Sequence, residues 1–404
     1  MNPRNAVHVV LSENVPPTWG GVARVAYNLS HALGEDGYET LLCGFDRYVS
    51  DPLYRDEPFR VLPISSTAWR QRKDWVMAGL LWRIRNTHRG RPVILYALTW
   101  KLARVARFVA PRLGWTLLVF AHGLEVTRQR TRGKRRAMLG VFRDADLCLG
   151  VSRYTADLLV QAGVSRDRVR VLNNGVDTRM FHPLTDAADL ERVRALRHRL
   201  GCEHAIMVLT LARVIERKGQ DSVIRALARL RDRRTQDALP LRYVIAGRGP
   251  EAEVRRLKDL AQRLGVDEQV VFWGYVEPAQ MRVFYNACDI YVMNSRIVGP
   301  DQDVEGFGIT FLEAGACGKP VIGGRSGGVV DAVKDGRSGF LVDPEDPEAL
   351  ANRLESLASD PALRARMGAE GLRRAREEFG IAAARDSLLE MVRELPDPPG
   401  RGGS

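Results

Sequence analysis

The stretch DVEGFGITFLEAGACGKPVIGGRSGG, residues 303–328, decides the fold. It follows an apolar run at 289–295 that reads as a strand, and ITFLEAGA within it reads as a helix. Gly306-Phe307-Gly308-Ile309 is therefore a strand-to-helix turn. Amides at such a turn lack intrahelical partners and lie at the positive end of the helix dipole, and glycine lets an anion approach the backbone. Glu305 and Glu313 bracket the turn. A lone G-x-G is weak evidence for a site, so its weight comes from the rest of the chain.

Working outward, apolar runs alternate with helical patterns. AVHVVLS (6–12), ETLLCGF, PVILYAL, TLLVFAHG and ADLCLGVS read as strands, with a helix over 20–33. The pattern breaks near 171–177 and restarts with strands at AIMVLTLARV (205–214), RYVIAGRG, VVFWGYV, DIYVMNS, KPVIGG and GFLVD. A helix is predicted to open at Asp221-Ser222, both plausible caps. Continuous apolar runs mark buried parallel strands. Two such series predict an α/β chain of two doubly wound, Rossmann-like domains, 1–182 and 183–375. A C-terminal helix over 376–395 is expected to pack back toward the first domain, and 396–404 to form a disordered tail. Ligands of such sheets bind beyond the carboxyl ends of the strands, so the expected site is a cleft between two facing domains.

Several motifs point to that cleft. LARVIERKGQ places Arg213 and Lys218 at and after a strand end, where two cations suit a diphosphate. WGGVARV puts Gly20 and Gly21 in the first strand-to-helix turn of the other domain, a second turn open to an anion. FAHG ends a strand with His122. Each has a plain structural alternative: a surface arginine, an ordinary turn, a packed histidine.

Taken together with NNGVDT, VIAGRGP, VFWGYV and ACDIYVMNS, these motifs resemble the retaining glycosyltransferases of family four, which have the GT-B fold. The paired glutamates match that family's E-x7-E signature. The resemblance implies that Arg213 and Lys218 hold the donor diphosphate. It gives Glu313 the ribose hydroxyls and Glu305 the donor sugar hydroxyls. The amides of Phe307, Gly308 and Ile309 would meet sugar and phosphates, and Gly20 and Gly21 would close on the diphosphate. His122 would sit near the sugar on the acceptor side, and residues near Tyr275 and Val276 would line the base. His122, Arg213, Lys218 and Glu305 are the expected catalytic set. The implied reaction moves a hexose, with mannose favoured, from a nucleotide-diphosphate sugar to a lipid-linked or glycan acceptor in envelope or polysaccharide synthesis. No cofactor or metal is expected, although Asp301-Gln302-Asp303 has the Asp-x-Asp spacing of a metal motif. A soluble small-molecule acceptor, or a GT-B phosphorylase or epimerase, is the alternative.

Composition adds a location. The net charge is +12, yet residues 67–136 hold 17 Lys and Arg against Asp74 and Glu125, so the remainder is slightly acidic. That window carries five of the seven tryptophans. WRQRKDWVMAGLLWRIR (69–85) reads as a helix with Trp75, Val76, Leu80, Leu81 and Ile84 among arginines, and RQRTRGKRR (128–136) as a basic loop. Tryptophan with cations suits an anionic membrane surface. The enzyme is therefore expected in the cytoplasm, peripheral on the inner face of the membrane. No nucleic-acid module is recognisable. The scattered cysteines show no metal or disulfide spacing.

Overall fold

The computed structural model describes residues 1–18, 20–128, 131–231, 233, 239–299 and 303–396. The chain divides into two units, Met1–Gly175 with Ile381–Ser404, and Val176–Gly380.

The first unit holds seven parallel strands: β1 (Val7–Leu11), β2 (Thr40–Phe45), β3 (Arg60–Ile64), β4 (Val93–Ala97), β5 (Thr116–Ala121), β6 (Leu147–Gly150) and β7 (Val169–Val171). Their order is β3-β2-β1-β4-β5-β6-β7. Strand residues alternate between two cores, as the pleat requires. Val7, Val9 and Leu11 face one, and Val10 faces the other. The second core takes Leu388, Leu389 and Val392 of the C-terminal helix Ile381–Glu394.

The second unit holds β8 (Ile206–Leu211), β9 (Leu241–Ala246), β10 (Val270–Gly274), β11 (Ile290–Met293), β12 (Val321–Gly324) and β13 (Gly339–Val342), all parallel, in the order β10-β9-β8-β11-β12-β13. Both orders are doubly wound, reversing between β1 and β4 and between β8 and β11.

Boundaries differ from the sequence in physically informative places. The second unit starts at Val176, whose N–H bonds Phe379 O at 2.7 Å. Residue 375 falls inside the helix Pro361–Glu377. β8 stops at Leu211, not 214, because Val214 N–H turns away to bond Arg248 O at 2.9 Å. Helix Gln220–Arg231 begins before Asp221, which forms an ion pair with Arg296 at 3.0 Å instead of capping.

The predicted basic loop is partly helical: Arg132–Asp144 is a helix that Thr131 caps. In helix Ser66–Thr87, bent at Arg72, Leu80, Leu81 and Ile84 enter the core. Trp75 and Trp82, two turns apart on the outer face, are 78% and 65% exposed. Phe108, on the neighbouring helix Ala103–Arg112, is 51% exposed. An Asp74–Arg104 ion pair of 3.1 Å ties these two helices together. Among the described residues no helix is long and apolar enough to cross a membrane. Asp301, Gln129, Arg130 and the tail beyond 396 lie outside the described residues.

Candidate functional site

In the second unit, β8 and β11 are neighbours at the point where strand order reverses, and the chain leaving each carries the singled-out residues. After β8 comes a single 3-10 turn, Glu216–Lys218, closed by Gly219 at φ +69°. A Cβ on Gly219 would lie 1.9 Å from Asn294 O, so only glycine lets this turn seat on the end of β11. The seating turns Arg217 and Lys218 toward residues 303–305. Lys218 Nζ donates to Glu305 Oε2 at 2.5 Å and to Met293 Sδ at 3.4 Å. Arg217, which sequence reasoning passed over, donates through Nη1 to the same Oε2 at 2.7 Å and to Val304 O at 3.2 Å. Its Nε pairs with Asp303 Oδ1 at 2.9 Å.

The helix Ile309–Ala316 starts from Gly308 at φ +90°. Its first-turn Thr310 hydroxyl lies 3.9 Å from Met293 Sδ, the atom that Lys218 also touches. Cation and helix N-terminus thus converge on one side chain. GGRSGG, to which the sequence assigned no contact, seats Glu305. Gly328 N–H bonds Glu305 O at 2.9 Å, and a Cβ on Gly327 would come within 2.5 Å of that oxygen. Glu313 is fully buried within the helix and accepts the Tyr285 hydroxyl at 2.6 Å. Phe307 and Ile309 are buried as well.

Arg213 is exposed and forms no ion pair with a described residue, while its carbonyl accepts Gln220 Nε2 at 3.0 Å. Val276 is buried just past β10. The Arg248 guanidinium lies 4.6 Å from the centre of the neighbouring Tyr275 ring.

Electrostatics separate the roles. Burial alone would raise the Glu305 carboxyl, but Lys218 and Arg217 outweigh it and hold the group below the usual carboxylate range. Burial pushes Lys218 down from the ordinary lysine value, against the opposing pull of Glu305. Glu305 is ionised at neutral pH, and Lys218 discharges more readily than a solvated lysine. Asp303 is taken up by Arg217. Among the described residues no group of three His, Cys, Asp or Glu is placed to hold a metal.

In the first unit, Gly20 and Gly21 follow β1, with the helix Gly21–Glu35 opening there and no side chain capping it. Both glycines are exposed, and a Cβ on either would meet nothing within 4 Å. His122 follows β5, with Nε2 2.9 Å from Leu98 O. A carbonyl only accepts, so Nε2 carries the proton and Nδ1 remains an acceptor. Burial lowers the His122 pKa, with Glu125 opposing, so the ring is neutral at pH 7. The singled-out residues thus fall into two sets, Gly20, Gly21 and His122 in the first unit and the other eight in the second.

Comparison with known proteins matches this division. Residues 19–180 match the family model described as Glycosyltransferase Family 4, and 196–374 match that of Glycosyl transferases group 1. A GDP-mannose-dependent alpha-(1-6)-phosphatidylinositol monomannoside mannosyltransferase of Mycolicibacterium smegmatis is 38% identical over 255 residues, 63% of this chain and 64% of that protein. The Mycobacterium tuberculosis protein of the same name is 34% identical, over 69% of this chain and 68% of its own. A D-inositol 3-phosphate glycosyltransferase of Salinispora arenicola is 33% identical, over 78% and 72%. Among solved structures, a Rickettsia africae glycosyltransferase superposes with a TM-score of 0.77 at 18% identity, covering 97% of this chain and 99% of that one. Sucrose-phosphate synthase of Thermosynechococcus elongatus gives 0.76 at 23%, covering 96% and 99%. With two doubly wound sheets and both family models matched in order, the chain belongs to glycosyltransferase family 4 and has the GT-B fold.

Proposed function

We propose that this glycosyltransferase moves mannose from GDP-mannose to a lipid-linked acceptor of the phosphatidylinositol mannoside class, with retention and without a divalent ion. The observation that carries the proposal is the Glu305 carboxylate held by Lys218 and Arg217 beside the helix N-terminus at Gly308, which no side chain caps. Arg213 and Lys218, with the amides of Phe307, Gly308 and Ile309, stabilise the departing diphosphate. Gly20 and Gly21 leave uncapped amides at the first unit's own helix N-terminus. Glu305 accepts hydrogen bonds from sugar hydroxyls, Glu313 from the ribose, and Val276 lines the base. His122 presents its neutral Nδ1 to a sugar or acceptor hydroxyl. Glu305 Oε2 is already shared by two cations, which makes it a poor nucleophile, so the reaction proceeds on one face of the sugar. The bond from the anomeric carbon to the phosphate oxygen breaks, the acceptor oxygen bonds the same face, and its proton passes to the departing phosphate.

Relatives named as GDP-mannose-dependent phosphatidylinositol monomannoside mannosyltransferases support the donor and acceptor. The exposed Trp75, Trp82 and Phe108, set among Arg83, Arg85 and Arg104, support docking on the anionic cytoplasmic leaflet. A soluble phosphorylated inositol, as in the name of the Salinispora relative, is the alternative acceptor.

The test is transfer from radiolabelled GDP-mannose, UDP-glucose and ADP-glucose to a phosphatidylinositol mannoside and to inositol phosphate, with EDTA present. GDP-mannose with the lipid is the expected pair, and loss of at least a hundred-fold is expected in Lys218→Ala. Undiminished transfer by Lys218→Ala, or dependence on an added divalent ion, refutes the proposal.

A further inference from the structure

The end of the first unit's sheet where β4 and β5 begin, opposite Gly20 and His122, carries a second cationic feature. The segments leading into β4 and β5 enclose a groove of about 690 Å³ lined by Arg85, His88, Arg89, Arg91, Arg112 and Trp115. A strand of five or six residues places this groove roughly 15–20 Å from the strand ends that precede Gly20 and His122. Its four guanidiniums are exposed. Among the described residues their partners are few. Arg91 pairs with Glu39, which also lies 3.5 Å from His88 Nδ1. Arg89 reaches Asn86 Oδ1 at 3.4 Å, and Arg112 donates to Phe108 O at 2.5 Å.

Helices Ser66–Thr87 and Ala103–Arg112 both end here. Each C-terminus brings about half a negative charge, and Glu39 brings one. Four arginines therefore exceed the local negative charge by roughly two, more than capping two helices requires. Surplus positive charge around an open, polar groove calls for an anion.

We infer that this groove is a second anion-binding site that takes the phosphate of a phospholipid headgroup. The choice of a lipid rests on the membrane docking proposed above. Arg85 lies one turn beyond Trp82 on the same helix, so a headgroup in the groove sits where the indole meets the acyl boundary. Docking is then stereochemical as well as electrostatic: the tryptophans insert and the groove selects a phosphate. Guanidinium forks suit that geometry.

Co-sedimentation with vesicles of phosphatidylcholine, alone or with phosphatidylinositol, tests this, with GDP saturating the donor site. Each cation at an anionic surface contributes roughly five-fold. Arg89→Gln/Arg112→Gln is therefore expected to bind phosphatidylinositol vesicles about thirty-fold more weakly, with unchanged melting temperature and GDP affinity. Trp75→Ala/Trp82→Ala is expected to weaken binding to both vesicle types. Wild-type binding of the arginine variant to phosphatidylinositol vesicles, with loss only in the tryptophan variant, overturns the groove and leaves membrane docking standing. Absence of wild-type binding to either vesicle overturns both. Calorimetry with pyrophosphate separates the sources: pyrophosphate binding lost in the arginine variant while vesicle binding persists assigns the groove to a soluble phosphate and overturns the lipid assignment.

Discussion

Replacing Arg217 with Met tests whether the Glu305 carboxylate is held in place by a residue that need not touch substrate. The guanidinium is 9% exposed and Glu305 15%, so solvent screens the contact little. Hydrogen bonds to charged groups contribute about 1.5–3 kcal/mol each, and breaking a buried pair costs about 3–5 kcal/mol. Lys218 remains on Glu305 after the change, and Asp303 is one-third exposed and can find water. The low end applies, about 2–3 kcal/mol of stability in the second unit. Function suffers separately. With Arg217 gone, Lys218 becomes the one cation among the described residues that still contacts Glu305, and is less available to a diphosphate. We expect kcat/KM for the donor to fall about ten- to hundred-fold, mostly through KM, a loss of about 1.4–2.7 kcal/mol. The sign of the pH effect follows from the lowered Glu305 pKa. Its stabilisation is present at neutral pH and lost as pH falls through the folded value, so in Arg217→Met that loss begins at higher pH. A double-mutant cycle with Glu305→Gln, read by denaturation and by kcat/KM, isolates the contact, with a coupling of about 1.5–3 kcal/mol expected. If Arg217→Met costs the same in both backgrounds, within about 0.5 kcal/mol, Arg217 does not hold Glu305 and the reasoning fails.

Gly219→Ala must place a Cβ 1.9 Å from Asn294 O in a left-handed turn, and we expect about 2–4 kcal/mol of destabilisation by chemical denaturation. Gly79→Ala, on the exposed helix with nothing within 4 Å, is expected to stabilise by up to about 1 kcal/mol. Burial lowers the His8 pKa from 6.5 to about 4, so the unfolded chain takes a proton the native state refuses. The first unit is expected to lose about 3 kcal/mol as pH falls from 6.5 to 4, seen as a falling melting temperature that His8→Gln flattens. Lys218 discharges below the ordinary lysine value, so KM for the donor is expected to rise on an alkaline limb that Lys218→Arg moves to higher pH.

The fold was legible because a buried parallel strand needs apolar residues on both faces, and runs such as VILYA and LRYVIA can be little else. Turn residues that contact their own segment were legible too. Gly308 opens a helix five positions before Glu313, and that spacing is local. Arg217 was not legible. In E-R-K-G the cations are adjacent, and that both turn inward depends on a single 3-10 turn seated by Gly219 against the end of a strand 75 residues away. The same holds for Gly327 and Gly328 beneath Glu305, and for Tyr285 on Glu313. Pooling Trp75 with Leu80, Leu81 and Ile84 missed a separation that the seven-residue spacing of the tryptophans already contained.

The clamp around Glu305 explains why two cations stand where one would neutralise the charge. A buried lysine keeps its proton only beside an anion, and before the donor arrives that anion is Glu305. Opposite charges near 4 Å at a partly buried site attract by about 4 kcal/mol. A diphosphate that takes Lys218 must offset that attraction, and without a second cation it would leave Glu305 buried and unpaired. Arg217, always protonated and anchored to Val304 O and Asp303, stays on Glu305 during the proposed exchange. Lys218 is then free to change partners while the carboxylate stays ionised and fixed for a sugar hydroxyl. The residue that holds is an arginine with two acceptors and an ion-pair partner in Asp303, and the residue that exchanges is a lysine whose other contact among the described residues is a thioether.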